Sequence, residues 1–468
     1  MFLSIENFIG SRLAALQENG DSISYRELNE FCEEIQRIVP PRSLVFSLCK
    51  NTIGSFAGYV AYLSARVVPL LLSSHLDQDL LEYLMETYHP NYLWVPAEQK
   101  DKFHGECVIE KYGYTLLHYS LEKINLYEEL ALLLTTSGST GSPKLVRQTY
   151  TNIEENAKSI AAYLELDETE RPITTLPMNY TYGLSIINSH LLVGATLLMT
   201  ETSYAQKGFW DFFKREKATS LAGVPYTYEI LKKIRFFRME LPSLRYMTQA
   251  GGKLIPDLHK EFAEYAKNNG TRFYVMYGQT EATARMSYLP YQKSLEKYGS
   301  MGIAIPGGEF YLRDVDGSKI ISPNVAGELI YKGPNVTLGY AECVQDLAKG
   351  DERNGVLETG DIAQFDEDGY YYIVGRLKRF LKIYGNRVNL DECERMLQER
   401  FAGLECACVG TDDHMKIFIT EKGYMDDVQK FILEKTGLNR RAFEVFYVGE
   451  IPKNESGKKQ YQLLTGIA

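Results

Sequence analysis

Short apolar runs alternate with amphipathic segments along residues 44–277, and this alternation limits the chain to a small group of folds. The amphipathic segments have the apolar spacing of helices, and they are Asp77–Tyr88, Asn152–Leu164, Tyr226–Phe237 and Pro256–Lys267. Strands that alternate with helices predict an α/β fold with largely parallel sheets. The apolar runs have the length of buried strands, and they are Leu44–Cys49, Val67–Leu72, Tyr92–Val95, Leu130–Thr135, Leu244–Thr248 and Phe273–Tyr277.

The pattern changes after residue 300, where glycines and short β-runs dominate. The runs Gly327–Tyr331 and Tyr370–Val374 read as strands, and Asp366–Gly369 has the composition of a hairpin turn. Residues 377–468 then predict a small α+β unit. Its elements are a strand, the helix Asp391–Phe401, the strands Cys406–Gly410 and Lys416–Thr420, the helix Asp426–Lys435, and the strand Phe443–Val448.

Composition excludes several classes of protein. The 468 residues carry a formal charge of 51 − 61 = −10, which argues against a nucleic-acid binder, because such proteins are usually basic. The most apolar stretch, Ile53–Leu72, is interrupted by Arg66 and Pro69, so a buried helix followed by a strand is expected rather than a membrane span. The seven cysteines form no CxxC pair, and the first residues lack a basic region. A cytoplasmic protein is therefore expected.

The segment Leu132–Lys144 carries the clearest chemical signal. An apolar strand leads into a loop of glycine and hydroxyl residues that ends in Pro143 and Lys144. Such a loop offers backbone N–H groups, hydroxyl donors and one cation, which together suit a polyphosphate. The loop matches neither the Walker A pattern nor the dinucleotide fingerprint. A flexible serine–glycine turn is the alternative reading, although the long apolar strand and the Pro-Lys ending argue against it.

The loop Thr136–Lys144 resembles the phosphate-binding signature of the adenylate-forming superfamily, which includes acyl-CoA synthetases, nonribosomal peptide adenylation domains and firefly-type luciferases. Further signatures of that superfamily follow in the same order along nearly the whole chain. They are Ser24–Asn29, Tyr277–Thr283, Gly327–Gly333 with Gly339–Tyr340, Glu358–Asp361, Gly375–Gly385 with Glu394, and Pro452–Lys458.

The resemblance implies a two-domain enzyme. The large domain, residues 1–376, would contain two α/β subdomains and a small β-barrel-like region, and residues 377–468 would form a mobile α+β lid. Its reaction would join a carboxylic acid to AMP with release of pyrophosphate and then pass the acyl group to a phosphopantetheine thiol. Without a fused carrier domain, that thiol would belong to CoA or to a separate carrier protein. Two alternatives remain: an adenylating enzyme with a non-thiol acceptor, and a nucleotide-binding protein without catalysis.

The resemblance also assigns roles to individual residues. ATP and Mg²⁺ are the implied cofactors, with Glu281 as the residue that places the metal. The residues implied in catalysis are Lys458, Glu281, Thr280 and Lys382, and Lys378 is the implied hinge. Nucleotide binding is assigned to Thr136, Ser137, Gly138, Ser139, Thr140, Lys144, Gly251, Gly252, Tyr277, Gly278, Thr280, Asp361 and Arg376.

The acid pocket is expected to be neutral. Tyr180 occupies a position where the superfamily often has histidine, and Leu145 follows the loop lysine where glycine is usual. No acidic anchor for an amino group is evident, so a neutral acyl or aryl acid fits better than an amino acid. The residues expected to line the pocket are Asn179, Tyr180, Val224, Pro225, Ala250, Gly251 and Gly252.

Overall fold

The computed structural model describes residues 2–8, 10, 12–135, 144–383, 386–401, 403–411, 413–436, 438–453 and 459–465. The chain divides into two compact units, residues 1–309 with 332–357 and residues 310–331 with 358–468. These bounds differ from the predicted domains in assigning two stretches of the expected large domain, residues 310–331 and 358–376, to the second unit. The boundary predicted at residue 377 stays a prediction.

The first unit is built around an eight-stranded sheet. Its central strands are parallel, as predicted, whereas the strands at both ends pair antiparallel with their neighbours. The predicted strands Leu44–Cys49 and Leu130–Thr135 are confirmed. The strand order is Gly339–Ala341, Leu145–Thr149, Leu130–Thr135, Val68–Ser73, Leu44–Cys49, Tyr92–Pro96, Tyr114–His118 and Glu106–Lys111.

Two further sheets complete the first unit. A five-stranded sheet is parallel across its first three strands and antiparallel after them, in the order Ser220–Gly223, Tyr246–Gln249, Arg272–Tyr277, Ser287–Tyr288 and Ile303–Ala304. A three-stranded sheet has the order Leu197–Met199, Leu13–Gln17 and Ser22–Ser24. The α/β class and its separate sheets are as predicted.

Helices of the first unit cover these sheets. Ser24 caps the first helix, and Glu27 bonds back to the Ser24 backbone, so a capping box fixes where it begins. The predicted helix Tyr226–Phe237 is interrupted instead, because Arg235 adopts a φ of 62° and a 3₁₀ turn follows. The helices are Tyr25–Ile38, Ile53–Ser64, Gln78–Tyr88, Tyr150–Leu164, Thr181–Leu192, Lys207–Arg215, Pro225–Lys233 and Pro256–Asn268.

The second unit contains a five-stranded sheet and a smaller α+β body. The sheet has the order Lys319–Ile320, Glu309–Arg313, Gly327–Lys332, Val356–Phe365 and Tyr371–Arg376, with the predicted turn at Asp366–Gly369 joining its last two strands. The α+β body contains the predicted elements in the predicted order, together with a second strand before its first helix and a last helix that were not predicted. Its elements are Phe380–Ile383, Asn386–Asn389, Leu390–Arg400, Cys406–Thr411, His414–Ile419, Met425–Thr436, Phe443–Tyr447 and Tyr461–Thr465.

Among the described residues, no helix combines the length and the apolar character that crossing a bilayer requires.

Candidate active site

The turn after the strand Arg272–Tyr277 carries the first group of predicted site residues. Tyr277 is half-buried at the end of that strand, and its hydroxyl accepts a hydrogen bond from Gln279 Nε2 at 3.0 Å. A Cβ at Gly278 would lie 1.7 Å from the carbonyl oxygen of Ala284, so only glycine fits where the chain folds back. The 3₁₀ turn Thr280–Ala282 follows directly.

Backbone strain and side-chain clamps fix the end of this turn. Thr283 has a φ of 65°, which is unfavourable for a β-branched residue and costs on the order of 1–3 kcal/mol. Its hydroxyl donates to Asn335 O at 2.7 Å, and its carbonyl accepts a hydrogen bond from Thr181 Oγ1. Asn335 Nδ2 in turn donates to Ala282 O at 2.8 Å. These contacts hold the backbone that presents Glu281.

Glu281 is held through both its backbone and its carboxylate. The carbonyl oxygen accepts hydrogen bonds from Thr337 N at 3.0 Å, from Thr337 Oγ1 at 2.9 Å and from Arg353 Nη1 at 3.2 Å. Tyr340 OH donates to the carboxylate oxygen Oε1 at 2.7 Å. Burial and then the charge of Glu281 raise the pKa of Tyr340, so the phenol keeps its proton and remains the donor. Oε2 has no hydrogen-bond partner within the described part of the chain.

Lys144 enters the same neighbourhood from the start of the strand Leu145–Thr149. Its ammonium group lies 2.6 Å from Glu342 Oε1 and 5.7 Å from the centre of the Tyr340 ring. Arg353 faces that ring as well, with its guanidinium carbon 4.6 Å from the ring centre. The structure therefore brings together Lys144 and Glu281, two residues that the sequence assigns to the triphosphate and its metal.

The residues around Glu281 fit a magnesium ion. Mg²⁺ prefers carboxylate and phosphate oxygens and keeps several waters, so one carboxylate oxygen without a protein donor is a suitable ligand. Oε2 of Glu281 has that property, and Lys144 adds a cation for phosphate oxygens. No group of three or more metal-binding side chains is present among the described residues.

Residues predicted to line the acid pocket also lie together. Gly251 has a φ of 84°, and a Cβ there would meet the Tyr180 hydroxyl at 2.6 Å and Val224 Cγ1 at 3.1 Å. The backbone N–H of Ala250 donates to Gly223 O at 3.2 Å, which joins the ends of two parallel strands. Burial raises the pKa of Tyr180 to about 12, so this residue is neutral at physiological pH. The wall that these residues form is neutral, as predicted.

Three other residues of the predicted acid pocket adjoin these, namely Gly252, Pro225 and Asn179. A Cβ at Gly252 would lie 3.1 Å from Pro225 Cγ, and Gln249 Nε2 donates to Gly252 O at 2.9 Å. The Gln249 oxygen Oε1 is buried, and none of the described residues donates a hydrogen bond to it. Asn179 is half-buried and directly precedes Tyr180.

In the second unit, Asp361 and Arg376 form an ion pair across a hairpin. Their strands place the two residues opposite each other, and Arg376 Nε lies 3.3 Å from Asp361 Oδ1. The Asp361 side chain is 6% exposed, whereas that of Arg376 is 61% exposed. The sequence predicts that both residues serve one ribose, and the structure brings them together.

A buried charge network surrounds the other predicted residues of the second unit. Glu394 Oε2 accepts hydrogen bonds from Lys459 Nζ at 2.6 Å and from Tyr461 OH at 3.1 Å, and Oε1 accepts from Arg379. Arg379 also pairs with Asp391 and stacks on the Tyr461 ring at 3.8 Å. This network links Arg379, which follows the predicted hinge residue Lys378, with Lys459, which follows the predicted catalytic residue Lys458.

Several predicted residues cannot be placed. The loop residues Thr136, Ser137, Gly138, Ser139 and Thr140 lie outside the described residues, as does Lys458. The backbones of Lys378 and Lys382 belong to the 3₁₀ turn Leu377–Arg379 and the strand Phe380–Ile383, but their side chains are likewise outside the description. The roles of these residues stay predictions.

Five residues that hold the Glu281 turn or Lys144 could not be identified from the sequence. Tyr340 lies in a motif that the sequence identifies, but the motif assigns it no role. Asn335, Thr337 and Arg353 contact the turn without any sequence signal, and Glu342 pairs with Lys144 only because the intervening strand brings it there.

Comparison with known proteins identifies the family. The family described as AMP-binding enzyme matches residues 10–341. The chain belongs to the AMP-binding enzymes. The predicted membership of the adenylate-forming superfamily is thereby confirmed.

Curated relatives of this AMP-binding enzyme include CoA ligases. It is 29% identical over 428 residues to a 2-succinylbenzoate–CoA ligase of Geobacillus sp. (strain WCH70), covering 89% of this chain and 85% of that protein. It is 28% identical over 364 residues to an oxalate–CoA ligase of Arabidopsis thaliana, covering 73% of this chain and 68% of that protein.

A solved structure confirms the fold. The O-succinylbenzoate coenzyme A synthetase of Bacillus subtilis, in complex with ATP and magnesium ion, superposes with a TM-score of 0.79 at 21% identity. The match covers 99% of this AMP-binding enzyme and 98% of that chain. The fold predicted from the sequence motifs is therefore the fold of this chain.

Proposed function

We propose that this enzyme uses ATP to activate a small carboxylic acid as acyl-AMP, releases pyrophosphate, and transfers the acyl group to the thiol of CoA. The observation that carries the proposal is the arrangement of the Glu281 carboxylate. Tyr340 holds it at Oε1, no described residue donates to Oε2, and the Lys144 ammonium group lies 5.7 Å from the centre of the same Tyr340 ring. The named activities of two curated relatives, both CoA ligases, support the same reaction.

In the first half-reaction, a carboxylate oxygen attacks the α-phosphorus of ATP, and the bond to pyrophosphate breaks. Catalysis of such a transfer consists mainly of positioning and charge stabilisation. Lys144 and the loop before it would hold the β- and γ-phosphates, and Glu281 would hold Mg²⁺. The metal, when bound, neutralises charge on the phosphate oxygens. Thr280 would contact the α-phosphate, and Lys458 would offset the charge that develops there.

The remaining nucleotide contacts follow from the same assignment. Tyr277 would offer its ring to the adenine, and Asp361 would accept hydrogen bonds from both ribose hydroxyls. Arg376, paired with Asp361, would support the same ribose. The acid would lie against Tyr180 and its neighbours, whose neutral character suits an acyl or aryl group.

In the second half-reaction, the thiol attacks the acyl carbonyl and AMP leaves. Lys382 would serve this step after a rotation of the lid at Lys378. CoA is the proposed thiol because the relatives named above are CoA ligases. With CoA as acceptor we place the enzyme in the cytoplasm, and the unpaired state of all seven cysteines agrees with that location.

An acid panel tests the proposal. Pyrophosphate exchange into ATP is measured with each acid, including oxalate and 2-succinylbenzoate, and thioester formation is then measured with CoA and with a phosphopantetheinylated carrier protein. We expect acid-dependent exchange and a CoA thioester. If the acyl group is transferred to the carrier protein and not to CoA, the carrier protein would replace CoA as the proposed acceptor. ATP binding without exchange for any acid would contradict the ligase function.

Glu281→Gln separates the metal role from nucleotide binding. The variant should lower exchange far more than it lowers AMP affinity, because AMP lacks the β- and γ-phosphates whose charge Mg²⁺ would neutralise. Glu296→Gln is the matched control, since Glu296 forms an exposed ion pair with Lys293 away from the site. Equal losses of exchange and AMP affinity in Glu281→Gln would contradict the assigned role.

A further inference from the structure

Tyr340 contacts both groups that are assigned to the triphosphate and its metal. Its hydroxyl donates to Glu281 Oε1 at 2.7 Å, and its ring lies 5.7 Å from the Lys144 ammonium group. The guanidinium of Arg353 lies 4.6 Å from the centre of the same ring. One side chain thus supports an acidic group through its hydroxyl and two cations through its ring.

We infer that Tyr340 is a positioning residue for the metal-binding carboxylate, and this inference rests on the proposed function of Glu281. The hydrogen bond uses Oε1 and thereby fixes the rotation of the carboxylate, which leaves Oε2 directed to a cation. Without the hydroxyl, the carboxylate could rotate freely or turn toward the neighbouring cations. The proposal concerns orientation, since Tyr340 itself would not touch the reacting atoms.

The local backbone leaves little freedom in where Tyr340 lies. The strand Gly339–Ala341 pairs antiparallel with Leu145–Thr149, with Tyr340 opposite Val146. Gly339 has a φ of 131°, and a Cβ there would lie 2.6 Å from Glu352 Oε2. The pairing register and the crowded glycine together fix the residue that follows.

The hydroxyl and the ring of Tyr340 make separate contacts. Its hydroxyl is the donor in the hydrogen bond to the Glu281 carboxylate. Cations are attracted to the negative face of an aromatic ring. The Tyr340 ring therefore also keeps Lys144 and Arg353 close to the Glu281 carboxylate.

Tyr340→Phe tests the inference with a readout other than activity. Binding of α,β-methylene-ATP is measured by calorimetry with and without Mg²⁺, and Mn²⁺ binding to the nucleotide complex is measured by electron paramagnetic resonance. Because hydrogen bonds to charged groups are among the stronger ones and this pair is partly exposed, we expect about 3- to 10-fold weaker metal binding. Affinity for the nucleotide without metal should be unchanged.

Tyr88→Phe is the matched control. Tyr88 OH donates to Ala341 O at 3.0 Å, so this variant removes the same chemical group from a hydrogen bond to the adjacent residue of the same strand. It leaves Glu281 untouched, and metal binding should stay as in the unchanged protein. Tyr340→Leu, which also removes the ring, should in addition weaken nucleotide binding without metal, because Lys144 loses its support.

The outcomes separate the inference from the proposed function. Metal affinity that is equal in Tyr340→Phe, Tyr88→Phe and the unchanged protein would overturn the inference. A loss shared by Tyr340→Phe and Tyr88→Phe would also overturn it, since it would show a general effect on the strand. If no acid supports pyrophosphate exchange, only the proposed ligase function is contradicted. The inference about Tyr340 is still tested, because the measurement of metal affinity requires only nucleotide binding.

Discussion

Replacing Glu394 by glutamine is expected to destabilise the second unit strongly. The Glu394 carboxylate accepts hydrogen bonds from Arg379, Lys459, Tyr461 and the backbone N–H of Cys408. A glutamine has the same shape but only one acceptor oxygen. In either orientation, its NH₂ group would face donors that now bond to the carboxylate.

The structure sets the size of the effect. The side chains of Glu394, Arg379 and Lys459 are 7%, 12% and 20% exposed, so solvent screens the network weakly. Burial lowers the pKa of Lys459, but the charge of Glu394 and further neighbouring groups raise it, and the net shift is upward. Removing one member of a buried ion pair costs about 3–5 kcal/mol. Since Asp391 still pairs with Arg379, we expect a loss of about 3 kcal/mol in the free energy of unfolding.

The two tryptophans make the second unit separately observable. Trp94 and Trp210 both belong to the first unit, so their fluorescence reports its unfolding, whereas far-ultraviolet circular dichroism reports both units. In urea titrations of the full chain, Glu394→Gln should move part of the dichroism transition to lower urea. The fluorescence transition should stay in place.

Glu392→Gln is the control for this experiment. Glu392 lies in the same helix and pairs with Arg395, but these side chains are 39% and 44% exposed. Exposed pairs contribute roughly 0–1 kcal/mol, so this variant should be almost neutral. If Glu394→Gln shifts the dichroism transition no further than Glu392→Gln, the buried network does not stabilise the unit as argued.

Three other predictions follow from single residues. Gly278→Ala should lower adenylation, measured by pyrophosphate exchange, by about 10²-fold, because the added Cβ would displace the turn that presents Glu281. Gly423→Ala is the control and should be neutral in the same assay, because a Cβ at Gly423 meets no other atom. Asp361→Ala should weaken ATP and AMP binding by similar factors, about 10-fold, because both contain the ribose; calorimetric affinities that do not change would refute the assignment. Burial lowers the pKa of His259 to about 4. As the pH falls, the imidazole is therefore protonated in the unfolded chain before it is protonated in the folded protein. The stability that the neutral His259 contributes is complete above pH ~6.5 and is lost as the pH falls toward 4. His259→Gln should therefore reduce the slope of unfolding free energy against pH in that window by up to about 1.4 kcal/mol per pH unit, and an unchanged slope would contradict this.

Elements with a clear local pattern could be predicted from the sequence. The strand Leu44–Cys49 is a continuous apolar run that is buried on both faces, and the sequence predicts its bounds. The helix Thr181–Leu192 could not be predicted in this way. Almost all of its residues are buried, so it lacks the polar face whose spacing identifies a helix.

The site shows the same division between local and distant information. Motifs identify Glu281 and Asp361, because their neighbours in the sequence carry the signal. The partner of Asp361 depends on a bulge between Ile362 and Ala363, which shifts the register so that Arg376 lies opposite it. The contact between Tyr340 and Glu281 joins residues 59 positions apart, and it depends on strand pairing that the sequence pattern does not specify.

The most direct test of the proposed function is a reaction of the enzyme with ATP and acid before any thiol is added. Quenched samples are analysed by mass spectrometry for acyl-AMP and by a coupled assay for pyrophosphate, and CoA is then added. The account predicts acyl-AMP and pyrophosphate in equal amounts, followed by conversion of the acyl-AMP to acyl-CoA and AMP. Formation of ADP and phosphate, or acyl-CoA without a preceding acyl-AMP, would contradict it.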